Sequence, residues 1–344
     1  MQQKNLLKAV MLLLLLVAAF TISWEMMWRN KGFEATYNDD KVLWAEKRKE
    51  VYKPQNDATV FIGSSRIKFD LDIPTWRTYT GEDAVQLAVV GTSPRMLLQD
   101  LANDENFRGK LVIDITEVLF FSQNPAFHKS AKDAIAFYKD QTPTQKLSSK
   151  INLLLESKLV FLEERKFALN ALFNDLFIPN RPGVFSMPPF PKGFELTTSD
   201  RQTYMSESFL SDTNAINWQT GIWKGLILGD KTPPVRGDAL VEIFSEVKTA
   251  VDKITSRGGK VIFVRTPSSH MFAEAENMGF PRENYWNKLL DYTNTDGIHF
   301  KDFDETKDLL CPEWSHLSRE QAIDYTIHLV KVLQNKEWFA GHNS

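Results

Sequence analysis

The strongest constraint on the fold is a series of short apolar runs, each stopping at glycine or at a polar residue. The first three are ATVFIG (58–63), AVQLAVVG (84–91) and KLVIDITEV (110–118). Because they are short and rich in β-branched residues, they predict buried parallel strands. Ser93 and Pro94 open a predicted helix, PRMLLQDLAND, between the second and third runs. This order predicts an open α/β sheet whose ligands bind beyond the carboxyl ends of its strands.

A long insertion interrupts the strand pattern at about 122–235, where no strand is predicted. Helical stretches are predicted around 131–139 and 147–176, and the proline-rich IPNRPGVFSMPPFPKGF follows them. The amphipathic residues 148–173 could cap a cleft, dock a partner or bury a face on their own domain. We favour the third interpretation. The aromatic residues of the proline-rich stretch would suit acyl chains and sugar rings equally.

The sheet is predicted to resume after a helix at 238–259, with the strands KVIFVRTP (260–267) and GIHFKDF (297–303). In the last helix, LSREQAIDYTIHLVKVL, Ser318 and Gln321 form a capping-box pair. Four segments are therefore predicted: a membrane anchor or signal segment at 1–30, a helical linker at 31–57, an α/β domain at 58–335 and a tail at 336–344.

The N-terminal segment predicts a membrane anchor. Lys4 and Lys8 precede the apolar stretch AVMLLLLLVAAFTISW, and Trp24 and Trp28 lie at its end, where a bilayer interface would be. No small-residue cleavage site follows, which favours an uncleaved anchor over a signal peptide. A buried core helix is the alternative, but five consecutive leucines leave no polar face for water. The short N-terminal tail then predicts that the rest of the chain lies on the periplasmic side of a bacterial inner membrane.

Charge and cysteine content exclude several classes of function. Lys and Arg total 41 against 44 Asp and Glu, so the formal net charge of -3 does not favour nucleic acid as a partner. Cys311 is the only cysteine, which excludes an intramolecular disulfide and a cysteine-based zinc site. The histidines and carboxylates lack metal-ligand spacing, so neither a metal nor a cofactor is predicted.

Two serines follow the first predicted strand in FIGSSR, where a tight turn can direct a hydroxyl toward the crevice. A serine hydroxyl is a weak nucleophile and needs an imidazole base, itself oriented by a third group. Among six histidines, His316 stands in a loop just before the last helix, three positions after Glu313. Ser65, His316 and Glu313 are therefore the candidate catalytic residues.

The block Gly63-Ser-Ser65, the glycine Gly91 after the second strand, and Glu313-x-x-His316 before the final helix resemble the motifs of SGNH (GDSL-like) hydrolases. The resemblance implies a flavodoxin-like parallel sheet with Ser65 as nucleophile and His316 as general base. It also implies that the backbone N–H groups of Ser65 and Gly91 stabilise the oxyanion.

The chain departs from the family pattern at three positions. Ser64 stands where the family has aspartate, and Glu313 replaces the usual triad aspartate. The third family block is Gly-x-Asn-Asp, whose asparagine side chain donates to the oxyanion, but the corresponding strand end reads Asp-Ile-Thr-Glu (114–117). Losing one oxyanion donor costs about 3 kcal/mol of transition-state stabilisation, so Thr116 or a backbone N–H is expected to compensate.

Other residues compete for roles at the site. DGIHF offers Asp296 and His299 as a second acid-x-x-His motif, but His299 lies inside a predicted strand, so His316 is preferred. Arg265 and His270 follow another predicted strand, at the edge of the sheet where a substrate would bind. They are the candidate substrate-binding residues.

A Ser-His-acid site predicts acyl transfer. Anchored proteins of this type resemble those that add or remove acetyl groups on exported polysaccharides, often beside a membrane-bound O-acyltransferase. The expected function is therefore that of an esterase or O-acetyltransferase at the cell envelope. The alternatives are a non-catalytic scaffold of the same fold in an envelope complex and a lipid-directed esterase.

Overall fold

The computed structural model describes residues 2–55, 57–167, 169–174, 188–229 and 232–339. The chain forms two units. The first comprises Met1–Asn38 and Pro143–Ser186, and the second comprises Asp39–Thr142 and Met187–Ser344. The second unit contains the sheet and every candidate catalytic residue.

The second unit is built on a parallel sheet, as predicted. The strands are β1 (Ala58–Ile62), β2 (Asp83–Gln86), β3 (Lys110–Asp114), β4 (Leu196–Thr197), β5 (Thr203–Tyr204), β6 (Lys260–Arg265) and β7 (Gly297–His299). Five of them pair in parallel in the order β2-β1-β3-β6-β7. This order is compatible with a flavodoxin-like α/β fold, in which the first strand lies inside the sheet. All five predicted strands are present, although the second, third and fifth end before their predicted boundaries, at Gln86, Asp114 and His299.

Helices connect the strands and cover both faces of the sheet. The α-helices are α1 (Gln2–Asn30), α2 (Lys41–Arg48), α3 (Ser65–Asp70), α4 (Ile73–Thr80), α5 (Arg95–Asn103), α6 (Glu117–Phe120), α7 (Ala126–Asp140), α8 (Pro143–Glu156), α9 (Glu164–Phe167), α10 (Leu169–Asn174), α11 (Glu207–Leu210), α12 (Thr213–Gly229), α13 (Asp238–Thr255), α14 (His270–Gly279), α15 (Trp286–Thr293) and α16 (Arg319–Asn335). Short 3-10 turns occupy Lys49–Tyr52, Val160–Leu162 and Phe300–Asp302.

The last helix begins where the capping signal predicts. The Ser318 hydroxyl accepts a hydrogen bond from the backbone N–H of Gln321, which satisfies a free donor of the first turn of α16. Leu329 and Leu333 of α16 are buried in the same core cluster as Ile67 of α3 and Trp76 of α4. This packing holds α16, which directly follows the loop that carries His316, against α3 and α4.

The segment predicted as a linker at 31–57 packs into the second unit from Asp39 onward. The buried indole of Trp44 donates its Nε1–H to the backbone oxygen of Leu87 at 2.9 Å. Arg48 is also buried and donates to Asp100 at 3.0 Å and Asp104 at 2.8 Å. The helix α2 is therefore part of the second unit, where both its apolar residues and its charged residues make contacts.

The insertion differs from the prediction in two ways. It contains the antiparallel pair β4–β5, although no strand was predicted there. The helix predicted at 147–176 is not continuous, since α8 ends at Glu156. Beyond it, the backbone N–H groups of Val160 and Phe161 donate to the carboxylate of Glu25 instead of to helical carbonyl oxygens. The helical part of that prediction beyond Asn174 and most of the proline-rich stretch lie outside the described residues.

The N-terminal helix α1 contains a 26-residue span, Asn5–Asn30, whose most apolar 18-residue window has a mean hydropathy of 2.5. None of its most apolar window is buried within the protein, so α1 is not a core helix. Its length and composition suffice for a single crossing of a bilayer, although a signal sequence would share both properties.

Candidate active site

The turn after β1 positions the candidate nucleophile. A Cβ atom on Gly63 would lie 2.8 Å from Cβ of Asp114 and 2.7 Å from Cγ2 of Ile67, so the close approach of β3 and α3 requires glycine. Ser64 is extended and buried, and its hydroxyl has no hydrogen-bond partner among the described residues. Ser65 then begins α3 at the carboxyl edge of the sheet, half-buried.

The structure brings the three candidate catalytic residues together. The Oγ atom of Ser65 lies 2.9 Å from Nε2 of His316, and Nδ1 of the same imidazole lies 2.9 Å from Oε1 of Glu313. A carboxylate can only accept, which assigns the imidazole proton to Nδ1 and leaves Nε2 free to accept from the serine hydroxyl. The three side chains thus form one continuous hydrogen-bonded series.

Glu313 is completely buried and has several donors. Its Oε1 also accepts from the backbone N–H groups of His316 at 2.6 Å and Ser315 at 3.2 Å. Its Oε2 accepts from Nε1 of Trp223. Four N–H donors therefore hold the carboxylate in one orientation and offset the free-energy cost of burying its charge.

The loop that carries His316 is fixed from two sides. The Ser269 hydroxyl accepts from the backbone N–H of Cys311 at 2.8 Å, and the Ser269 N–H donates to the backbone oxygen of Trp314. The buried carboxylate of Asp70 accepts from the N–H of Leu317 at 2.9 Å. The sequence analysis missed these supports and Trp223, because each contact joins segments distant in the chain and no local pattern marks it.

Aromatic rings enclose the imidazole. Phe69 stacks on His316 with 4.2 Å between ring centroids, while Phe194 and Trp223 lie at 5.9 and 6.3 Å. Phe190 contacts Trp223 at 5.6 Å, so the proline-rich stretch contributes rings to this enclosure. His316 is only 2 % exposed. Such an apolar surround excludes water and strengthens the polar contacts inside it.

The predicted oxyanion donors lie in three different places. Ser65 is in the first turn of α3, where backbone N–H groups lack intrahelical acceptors. Gly91 has φ +65 in the exposed loop after β2. The hydroxyl of buried Thr116 lies 3.5 Å from Oδ2 of Asp114, whose pKa is raised by burial to about 6. The roles of all three residues in binding an oxyanion remain predictions.

The structure corrects the prediction that Arg265 contacts substrate. Arg265 is 3 % exposed, and its guanidinium donates to Glu117 at 2.8 Å and to Glu276 at 2.6 Å. Glu276 also accepts from Arg66, which follows the candidate nucleophile. The two arginines and the two glutamates neutralise one another, so the guanidinium of Arg265 pairs with buried carboxylates rather than facing the crevice.

His270 lies at the start of α14 and is exposed. Its ring centroid is 6.3 Å from that of Trp314, in the loop that carries the imidazole base. This position is compatible with the predicted contact to substrate, which remains a prediction.

His299, the alternative base, is a core residue. Its Nδ1 accepts from the backbone N–H of Lys301 at 3.2 Å, and its ring packs edge-on against Trp286 and stacks on Phe300. Burial and the nearby charge of Arg265 lower its pKa to about 2. It is His316, not His299, that the structure places beside Ser65.

His299 should make the protein sensitive to acid. Its folded-state pKa lies below the ordinary 6.5, so below pH 6.5 the unfolded chain binds a proton at this ring that the folded protein does not. The free energy of unfolding is therefore highest above pH 6.5 and falls as the pH falls. The expected loss is about 1.4 kcal/mol per pH unit, so His299→Asn should flatten the dependence between about pH 6.5 and 5. Denaturant unfolding of the detergent-solubilised protein measures this, with exposed His270→Asn as control. An unchanged slope in His299→Asn would contradict the assignment.

Trp223 should position the acid of the site. Trp223→Phe keeps the ring but leaves Oε2 of Glu313 without its indole donor, and a hydrogen bond to a buried charge contributes about 1.5 kcal/mol or more. We expect kcat for ester hydrolysis to fall about tenfold with little change in KM. Trp218→Phe is the matched control, because Trp218 is on the same helix and donates to the backbone oxygen of Pro189. Equal effects of both substitutions would assign Trp223 a purely structural role.

Comparison of the chain with protein-family models gives no match, and no curated protein matches it. The class of protein is therefore defined by the fold and by the geometry of the site. The chain is an α/β protein whose parallel sheet carries a hydrogen-bonded serine, histidine and glutamate at its carboxyl edge.

Proposed function

We propose that the protein is an SGNH-type enzyme that catalyses serine-dependent acyl transfer, as an esterase or an O-acetyltransferase. The observation that carries this proposal is the series Ser65–His316–Glu313, with 2.9 Å at each side-chain contact. Nucleophile and base within hydrogen-bond distance, and a third group orienting the base, are the geometric signature of an activated serine.

The geometry supports a two-step reaction. His316 Nε2 removes the hydroxyl proton as Ser65 Oγ attacks the ester carbonyl, and the charge of Glu313 stabilises the resulting imidazolium. Backbone N–H groups near Ser65 stabilise the tetrahedral oxyanion. The imidazolium then protonates the leaving alcohol, which departs and leaves an acyl-serine. In the second step, water or a sugar hydroxyl gives its proton to His316 Nε2 and attacks the acyl carbon. The bond between that carbon and Ser65 Oγ then breaks, and the imidazolium returns the proton to Ser65 Oγ.

The proposed substrate is an acetylated carbohydrate. Phe190 and Trp223 are half-buried rings in the cluster that encloses the base, and aromatic faces of this kind suit sugar rings. The resemblance to anchored polysaccharide-modifying proteins supports the same choice. It also supports a location on the periplasmic side of the inner membrane and a membrane-bound O-acyltransferase as partner. Acyl chains would pack on the same rings, which makes a lipid-directed esterase the second candidate.

Chromogenic esters of increasing chain length test the proposal. We expect turnover of the acetyl ester and declining kcat/KM for longer chains, because Ser65 is half-buried and aromatic rings enclose the imidazole beside it. Addition of oligosaccharides should then yield acetylated sugar, detectable by mass spectrometry, if transfer competes with hydrolysis. A preference for long chains would favour the lipid-directed esterase. Absence of any turnover by folded protein would favour the non-catalytic scaffold.

A further inference from the structure

Helix α8 has an unusual distribution of side chains. Leu147, Ile151 and Leu154 are 63 %, 53 % and 68 % exposed, although they form one stripe along the helix. On the opposite side, Ser149 and Glu156 are buried, at 4 % and 9 % exposed. A helix on the surface of a soluble domain has the reverse arrangement. An exposed apolar stripe of this kind is typical of a surface that contacts a membrane or another protein.

The chain after α8 is bound to the end of the apolar helix α1. The carboxylate of Glu25 accepts from the N–H groups of Val160 at 3.0 Å and Phe161 at 3.4 Å. Arg29 donates to the backbone oxygen of Lys158, also at 3.0 Å. Glu25 directly follows the apolar stretch that ends at Trp24. These contacts fix the chain just after α8 at the level where the apolar part of α1 ends.

Ring packing strengthens the same attachment. Trp28 of α1 lies 4.6 Å from Phe167 of α9 and 5.4 Å from Phe33, measured between ring centroids. Tryptophan at the end of an apolar helix marks the interface between lipid and water. The apolar stripe of α8 ends at Leu154, four residues before Lys158, so at most about 14 Å of chain separates it from the attachment.

The charges of α8 agree with a lipid surface. Its exposed charged residues are Lys146 and Lys150, both beside the apolar stripe, and its one acidic residue, Glu156, is buried and accepts from the N–H of Asn38. Lysine can lay its apolar stem along lipid while its ammonium group reaches phosphate. Basic residues flanking an apolar face are typical of helices that lie in a membrane interface.

We propose that α8 lies in the interfacial region of the bilayer that α1 crosses, with its apolar stripe in the lipid and its lysines near anionic headgroups. The occupant of the exposed face is thus a phospholipid membrane. The first unit then has two attachments, one across the bilayer and one along its surface. This inference does not depend on the proposed catalytic function.

The test uses the full chain in phosphatidylcholine vesicles containing phosphatidylglycerol. Single cysteines replace Ile151, Leu154 or Asn152 in a Cys311→Ala background, and each is labelled with an environment-sensitive fluorophore. Asn152 is exposed on α8 but lies off the apolar stripe, which makes it the matched control. Nitroxide-bearing lipids should quench labels at 151 and 154 at least several-fold more than the label at 152, with emission shifted to shorter wavelength.

Two results would overturn the proposal. Equal, weak quenching at all three positions would place α8 in water. Shielding of positions 151 and 154 that persists in lipid-free detergent and increases with protein concentration would show that a second copy covers the stripe.

Discussion

Ser65→Ala is expected to lower kcat for an acetyl ester by about 10⁶-fold. The hydroxyl is the only candidate nucleophile within 2.9 Å of the imidazole Nε2 among the described residues. Without it no acyl-enzyme forms, and only the binding site and oxyanion donors remain. Steady-state kinetics on the detergent-solubilised protein measure the loss, and its thermal unfolding verifies that the variant folds.

Ser64→Ala is the matched control for that substitution. Ser64 is the neighbouring residue, is also buried, and has a hydroxyl without a partner among the described residues. Its removal should leave most of the activity. If Ser64→Ala abolished turnover while Ser65→Ala preserved it, the nucleophile would have been assigned to the wrong serine.

Glu313→Gln is expected to reduce kcat by about 10⁴-fold while leaving the fold intact. The glutamine amide can donate to Nδ1 of His316, which favours the tautomer with its proton on Nε2. That tautomer cannot accept the proton of Ser65. The substitution also removes the negative charge that stabilises the imidazolium. Single-turnover measurements of acylation test this directly, because acylation requires the base.

Glu305→Gln is the control for Glu313→Gln, because it also removes the carboxylate of a glutamate that lies beside a histidine. Its carboxylate lies 3.7 Å from Nδ1 of His328 and is largely exposed. We expect wild-type rates from this variant. A Glu313→Gln enzyme within a few-fold of wild type would mean that the backbone donors and packing orient His316 without the carboxylate.

The elements that local sequence determines were predicted correctly. The strands at 58–62 and 260–265 follow from short runs of β-branched residues, and the start of α16 follows from the serine whose hydroxyl caps its first turn. Ser65 and His316 were predictable for the same reason. Each follows a local signal, the end of a strand or the start of a helix, and the parallel topology brings those ends to one edge.

Other features depend on contacts that no local pattern encodes. The indole of Trp223 reaches Glu313 across 90 residues of sequence, and the Arg265 guanidinium pairs with Glu117 across 148. The sequence alone does not distinguish an arginine that faces the substrate from one that neutralises buried glutamates, because both follow a strand. The broken helix after α8 has a similar cause, since the carboxylate of Glu25 competes for the N–H groups that a continuous helix would use.

The most direct test of the central claim is covalent labelling of the full-length protein by a fluorophosphonate probe, with the modified peptide identified by mass spectrometry. The serine-dependent mechanism predicts modification at Ser65, lost in His316→Ala and retained in His299→Ala and Ser64→Ala. Folded wild-type protein that remains unmodified, or a label that persists in His316→Ala, would contradict an activated serine at this site.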